Sequence, residues 1–430
     1  MRPDRAAGPP RGGRVLALAL CLTLWLASAA MAQPPLPREI VLGVPTSLGS
    51  LEGRESLMAV RLAVEEINAA GGVRLGGRSL PLKVAAADLK DHLPGVSVPQ
   101  ALGRLERFLD RERPQAVVVG PFRSEVLLAA MDILARRELP TLGAIAMSPV
   151  LQAKVLKNPA YRFVFRVGLD ARYLADYLIG SLQSLEKRLG PARVLILNQD
   201  VAWARSTASL MVRLYFERAG WQVLGQENLP GDQEDFRASL GRARAGGAQV
   251  ILAIFDSAQS ARLVEQWHAM GQPAVLCGFI SPAVGPGAWR QLQGAVAGLL
   301  NMVFELGNLP SARYGPSQDF HQAFQRRYGA QIEAGHGPAP SYEAVHILKE
   351  ALERAGSLNP EMVATALEHT DRQGVMGRVR FHRGHQVVYG LDPSEAALAC
   401  VVQWGADGRR RIVYPPAVAE GEMVLPAPRR

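Results

Sequence analysis

The sequence predicts an α/β protein made of two doubly wound units. Three observations carry this. Short apolar runs alternate with longer stretches of helical periodicity. One of those runs, Ala116–Val119, has no polar residue, as expected of a strand covered on both faces. The alternation also restarts after Asp170, so the pattern is used twice. A chain of 430 residues is about two to three times the usual domain length, which fits two units.

In the first unit, Ile40–Val44 reads as a strand. The stretch Glu55–Ala70 puts Leu57, Val60, Val64 and Ile67 on one helical face and stops at Gly71-Gly72. Strand Leu80–Ala87, helix Gln100–Leu109, strand Ala116–Val119, helix Glu125–Arg136 and strand Pro140–Ala144 follow. The second unit reads as helix Tyr173–Leu185, strand Arg193–Leu197, helix Arg205–Ala219 and strand Trp221–Leu224. Helix Phe236–Ala245, strand Val250–Ile254, helix Ala258–Met270 and strand Ala274–Cys277 complete it. The last third returns to helices at Gln318–Tyr328, Tyr342–Ala355 and Pro360–Glu368, then short strands at Arg378–Phe381, Ala399–Trp404 and Arg411–Tyr414.

The N-terminus reads as a secretory signal. Arg2, Arg5, Arg11 and Arg14 precede an uncharged apolar run from Val15 to Ala27, and Ala30-Met31-Ala32 offers a cleavage site before Gln33. The run is shorter than the roughly 20 apolar residues a membrane span requires. Loss of residues 1–32 removes four Arg and one Asp, so the net charge falls from +9 to +6. The remaining basic residues are spread along the chain without interleaved aromatics, which excludes a nucleic-acid surface. The one dense run, Arg409–Arg411, is expected on an edge strand, where charge discourages pairing with another chain.

Cys277 and Cys400 remain after cleavage. Both lie in apolar runs and read as buried free thiols; a disulfide between them in an oxidising compartment is the alternative. His382 and His385 have no partner at zinc-ligand spacing and read as surface residues, so neither metal nor cofactor is expected. Nucleotide-binding glycine motifs and the common hydrolase motifs are absent. Ser124 follows a strand within Gly120–Ser124. It reads as a helix N-cap, as a ligand contact, or as both; no base is identified that would make it a nucleophile.

Four passages, in order and spacing, resemble the type I periplasmic binding proteins, specifically the Leu/Ile/Val-binding family of ABC importers. They are Leu42–Val44 with Leu62–Val73; Val118–Pro121 with Ser124, Leu139–Thr141 and Ser148-Pro149; Asp235-Phe236 with Val250–Asp256; and Tyr342–Val345 with Ala351-Leu352 and Gly377–Phe381. Gly53 resembles a family glycine in the loop before the first helix.

The resemblance implies two Rossmann-like doubly wound lobes joined by a three-crossover hinge near Val167, Met302 and Tyr389. It places 38–167 and 303–389 in the first lobe, 168–302 and 390–416 in the second, and leaves 417–430 as a tail. It further implies a periplasmic, monomeric protein without catalytic activity. Such a protein closes on a small-molecule solute in the cleft and then docks on an inner-membrane ABC permease. A ligand-sensing module of the same fold, uncoupled from transport, is the alternative.

The candidate ligand-binding residues are Ser124, Ile145, Met147 and Ser148 on the first lobe, and Trp203, Asp256 and Phe279 on the second. Met147 stands where relatives carry a hydroxyl for the ligand carboxylate, Trp203-Ala204 where they carry Tyr-Gly, and Phe279 where amino-acid binders carry an acid for the ammonium. Asp256 is the one carboxylate in this set. The expected solute is amino-acid-like, or a more apolar carboxylate or amide, with preference for a neutral or weakly acidic one that stacks on Trp203.

Overall fold

Two sheets organise the chain. The computed structural model describes residues 36–425; the expected export segment 1–32 and the last five residues lie outside them. The first sheet has the order β4-β1-β5-β6-β7 and is wholly parallel. Its strands are β1 (Ile40–Thr46), β4 (Leu82–Asp88), β5 (Ala116–Val119), β6 (Thr141–Gly143) and β7 (Val164–Arg166). A small hairpin, β2 (Val73–Leu75) with β3 (Arg78–Leu80), stands apart from it. Helices α1 (Leu51–Ala69), α2 (Val98–Glu112), α3 (Ser124–Arg136) and α4 (Val150–Lys157) connect the strands.

Helix α5 (Ala171–Leu189) opens the second lobe, where the sheet order is β16-β15-β12-β11-β10-β8-β9. Strands β8 (Arg193–Gln199), β9 (Gln222–Leu229), β10 (Val250–Phe255), β11 (Val275–Ile280) and β12 (Leu300–Val303) are parallel. Strands β15 (Cys400–Trp404) and β16 (Arg410–Tyr414) add antiparallel at one edge. Helix α6 (Ala202–Met211) follows β8, α7 (Arg237–Ala245) precedes β10, and α8 (Ala261–Ala269) links β10 to β11. A short α9 (Ala288–Gln291) precedes β12. Helices α10 (Gly315–Tyr328), α11 (Pro338–Ala355) and α12 (Pro360–Glu368) come next, before the small β13 (Asp371–Gly374) and β14 (Gly377–Arg380) pair.

Each lobe has its own apolar core. Phe108, Leu127, Met131, Leu134 and Val164 fill the first, and Phe236, Ile251, Phe255, Trp267 and Trp404 the second. Both core tryptophans satisfy their indole N–H, Trp267 on the Ala274 carbonyl and Trp404 on that of Ala283, each at 2.9 Å.

The chain leaves the first sheet after Arg166, leaves the second after Val303, and re-enters the second at Cys400. These passages are laced together. Leu169 N donates to Glu305 Oε1 at 3.1 Å, Tyr389 Oη to the Val167 carbonyl at 3.0 Å, and Gln386 Nε2 to the Gly168 carbonyl at 3.0 Å.

Several sequence expectations change. The first helix begins at Leu51, capped by Ser50, whose hydroxyl accepts from Gly53 N at 3.0 Å. Gly53 therefore lies in the first helical turn, not in the loop before it. A Cβ there would stand 2.0 Å from the Ser47 carbonyl oxygen, so the turn closes only on glycine. Strands β7 and β12, of three and four residues, were not foreseen. His385 is not at the surface but buried, stacked at 4.0 Å on Phe165. Cys277 and Cys400 are separate buried thiols, and burial pushes the Cys277 thiol up to about 12. Arg410 does lie on the edge strand β16, but its guanidinium covers Trp404 at 5.6 Å and donates to the Val284 carbonyl.

Candidate functional site

In a doubly wound sheet, successive connections run in opposite directions from one central strand. The loops at its C-terminal end diverge there and leave a crevice. The first sheet has this switch between β1 and β5, the second between β8 and β10. Glu52, Ser124 and Asp256 lie beyond those strand ends and Gln199 closes β8, and all four line one cavity of about 50 Å³. It opens onto a wider cleft of about 1210 Å³ that shares Glu52, His92, Phe122, Gln199 and Asp256 with it.

The turn out of β5 is sharp. Val119 and Gly120 both sit at φ +72°. For a β-branched valine this is a strained conformation, and Gly120 relieves the second half of the turn. The turn brings Ser124 to the first position of α3.

Ser124 is not the helix cap that the sequence suggested. Arg123 occupies that position, and no side chain caps the helix. The Ser124 hydroxyl instead accepts from Met147 N at 3.1 Å and Ser148 N at 3.0 Å, pinning the loop after β6. Buried Arg166 holds the same loop from its carbonyl side, donating to Ala146 at 3.3 Å and Ser148 at 2.7 Å. The second lobe repeats the device. Gln199 Oε1 accepts from Asp256 N at 3.1 Å and Ser257 N at 3.0 Å, fixing the loop after β10.

Six of the seven sequence candidates meet at the cavity: Ser124, Ile145, Met147, Trp203, Asp256 and Phe279. Ser148 is outside its lining, with its hydroxyl accepting from Val150 N at 3.3 Å. Trp203 and Phe279 are buried and make an aromatic wall with Phe304. Ring centroids are 6.0 Å apart for Trp203–Phe279 and 4.1 Å for Phe279–Phe304.

Sequence reasoning missed Glu52, His92, Phe122, Gln199, Phe304 and His336, which also line the cavity. For Glu52 a signal existed, since Ser50 is a good N-cap and an acid in the next turn suits a helix start. For His336, 191 positions from the Ile145 carbonyl that it meets, no local pattern could have found it.

The electrostatics are dominated by carboxyls. Burial pushes the Glu52 carboxyl above its ordinary range, although Ser281 Oγ donates to it at 2.5 Å. Asp256 keeps a partly exposed edge, yet the protein packed around it raises its pKa against the hydrogen bonds of Gln199 and Trp203. Trp203 Nε1 donates to Asp256 Oδ2 at 2.9 Å. His336 lies between two acceptors, Glu305 Oε1 at 2.9 Å from Nδ1 and the Ile145 carbonyl at 2.7 Å from Nε2. Burial opposes a charge on this ring, but Glu305 and the carbonyl outweigh it and hold its pKa above the usual histidine value. Two donated N–H groups make it an imidazolium.

Among the described residues, hydrogen bonds span the cleft: Ser281 Oγ reaches Glu52, Gly287 N reaches Glu333 Oε2 at 2.9 Å and Oε1 at 3.1 Å, and Ala202 N reaches Glu125 Oε1 at 3.4 Å. Glu333 belongs to the first-lobe side, because its own N–H and that of Ala334 bond to Glu55 of α1. Among the described residues, no cluster of three or more His, Cys, Asp or Glu is placed to hold a metal ion.

The arrangement is a cleft between two lobes, and residues 41–397 match the family model described as periplasmic binding protein. The chain belongs to the periplasmic binding protein family. As a member it is a binding protein and not an enzyme. It is 24% identical to the Leu/Ile/Val-binding protein homolog 7 of Brucella melitensis, over 95% of this chain and 98% of that one.

Solved structures with the same fold include an ABC transporter substrate-binding protein from Sphaerobacter thermophilus, 23% identical at a TM-score of 0.71. The match covers 90% of this periplasmic binding protein and 99% of that chain. The branched-chain amino acid transporter substrate binding protein LivJ from Streptococcus pneumoniae, solved with isoleucine, is 18% identical at a TM-score of 0.71. Coverage there is 88% of this chain and 100% of the other.

Proposed function

We propose that this periplasmic binding protein captures a small organic solute between its lobes, closes on it about the three-strand hinge, and presents it to an inner-membrane permease of an ABC importer. The names of its relatives, a Leu/Ile/Val-binding homolog and transporter substrate-binding proteins, support the transport role. The basic, then apolar, then Ala-Met-Ala order of the first 32 residues supports export.

The observation that carries the reading is the cavity itself. Both lobes contribute to it at their topological switch points, its wall combines aromatic faces with a few convergent polar groups, and hydrogen bonds already bridge the cleft above it. Side chains from two lobes around one cavity make binding and closure a single event, because only the closed arrangement completes the wall.

The test is a thermal-shift screen of the purified protein against amino acids, short amides, alcohols, amines and aromatic acids. A solute held only by the folded state at 100 times its Kd adds about 2.7 kcal/mol of stability. Small-angle scattering with a hit at saturation should show a smaller radius. Absence of any stabilising solute counts against the function, and binding at an unchanged radius counts against closure.

A further inference from the structure

From the distribution of donors and acceptors around the cavity, and resting on the solute-binding reading above, we infer that the group recognised in the cleft is the ammonium of an organic amine with an apolar or aromatic body, received by Glu52 and Asp256. This reverses the preference for a neutral or acidic solute drawn from the sequence.

The first support is that most of the devices able to hold a ligand anion are spent inside the protein. A helix N-terminus attracts anions through its free N–H groups and dipole. Three face the cavity: α1 and α3 carry their own acid in the first turn, Glu52 and Glu125, while α6 has none and gives its Ala202 N–H to Glu125 across the cleft at 3.4 Å. Paired backbone N–H groups are the second device. Those of Met147 and Ser148 are taken by the Ser124 hydroxyl, and those of Asp256 and Ser257 by the Gln199 carbonyl oxygen. Of the basic side chains at the cavity, His336 has both ring nitrogens bonded, to Glu305 and Ile145; the Arg123 guanidinium reaches the Val96 carbonyl at 2.7 Å through Nη2, and its buried Nε, like Nδ1 of His92, has no partner among the described residues. Arg54 and Arg290 are exposed in the wider cleft, so a carboxylate on the solute would be met there, in water.

The second support is that acceptor capacity is left over. Glu52 and Asp256 come from opposite lobes onto the same cavity, and both are held by neutral donors, Ser281 for one and Trp203 with Gln199 for the other. A carboxylate offers about four acceptor positions. The His336 imidazolium acts on both carboxyls but is bonded to Glu305, so three acids face one cation, and an ammonium placed against both cleft carboxyls relieves that excess. The third support is the aromatic wall of Trp203, Phe279 and Phe304 beside these acids. Its faces attract a cation and its area takes an apolar body.

Calorimetry with two matched sets of solutes tests this: leucine, 3-methylbutylamine and 4-methylpentanoate, then phenylalanine, 2-phenylethylamine and 3-phenylpropanoate. In at least one set the amine without a carboxylate is expected to bind at least about tenfold more tightly than the acid without an amine. Glu52→Gln and Asp256→Asn should each weaken amine binding by about tenfold or more, with the unliganded melting temperature confirming a folded protein. Ser281→Ala separates charge from a closure contact, because it removes the donor and keeps the carboxylate; a larger loss there than in Glu52→Gln would overturn the assignment. Equal or tighter binding of the acids, or amine binding unchanged in both charge variants, would also overturn it. If other solutes stabilise the protein and neither amine does, the amine inference fails while the binding function stands. If no solute binds, both fail.

Discussion

The hinge and the cleft treat buried charge in opposite ways. In the hinge, Arg166 lies 3.3 Å from Asp170 with both side chains 1% exposed, and His336 faces Glu305. Each of these acids takes further neutral donors. Asp170 accepts from Arg172 N and Tyr173 N at 2.9 Å, which also caps α5, and Glu305 accepts from Leu169 N and Asn308 Nδ2. In the cleft, Glu52 and Asp256 have neutral donors alone. The hinge charges are complete in the folded chain and fix how the crossing segments meet. The cleft charges are completed by something that arrives. A buried ion pair is costly to break because removing one partner strands the other, whereas an unpaired buried carboxyl has already met that cost.

This contrast breaks most readily at His336. His336→Leu should strand Glu305 and lower unfolding stability by about 3–5 kcal/mol, read by urea denaturation. A loss under about 1 kcal/mol would mean that the hinge pair is no more complete than the cleft.

A smaller, pH-dependent effect is expected at Glu55, beside the cleft mouth. Burial, with Glu333 and Glu52 nearby, pushes its pKa up from 4.5 to about 7 against the N–H groups of Ala334 and Glu333. The folded protein therefore binds a proton that the unfolded chain has released. The stability tied to that proton is complete below about pH 4.5 and is lost as pH rises through about 7. Glu55→Gln keeps an acceptor for the two N–H groups without the charge. It should match wild type near pH 4.5 and exceed it at pH 8 by up to about 3 kcal/mol. Melting curves across that range check the sign, and an advantage confined to low pH would contradict it.

The smallest change sharpens the comparison. Glu52→Gln or Asp256→Asn, without solute, should leave stability unchanged or raise it, within about 1 kcal/mol, since a desolvated carboxyl is exchanged for a neutral acceptor. A drop near that of His336→Leu, measured by the same denaturation, would show that these acids hold the fold rather than wait for a ligand.

The fold was largely legible in the sequence because its signals are local. Leu57, Val60, Val64 and Ile67 recur at the helical period, and all four are buried on α1. The apolar run Ala116–Val119 is β5, covered on both faces. The candidate site was legible where strand ends could be located. Ser124, Met147, Asp256 and Phe279 lie at or just past the ends of predicted strands, and those ends converge. The helix start at Leu51 was misplaced by four residues, and with it went Glu52, the acid that changes the reading of the ligand.

By itself the sequence determined the alternation of strands and helices, the two units, and the strand ends at which a ligand could sit, because each follows from periodicity and composition over a few residues. The tertiary structure alone decided the charge balance of the cleft. Glu52 and Ser281 are 229 positions apart, and His336 meets the carbonyl of Ile145 across 191. Whether an N–H group, a hydroxyl or a carboxylate is available to a ligand depends on which partner has already claimed it. That partner is assigned by packing in space, where separation along the chain carries no information.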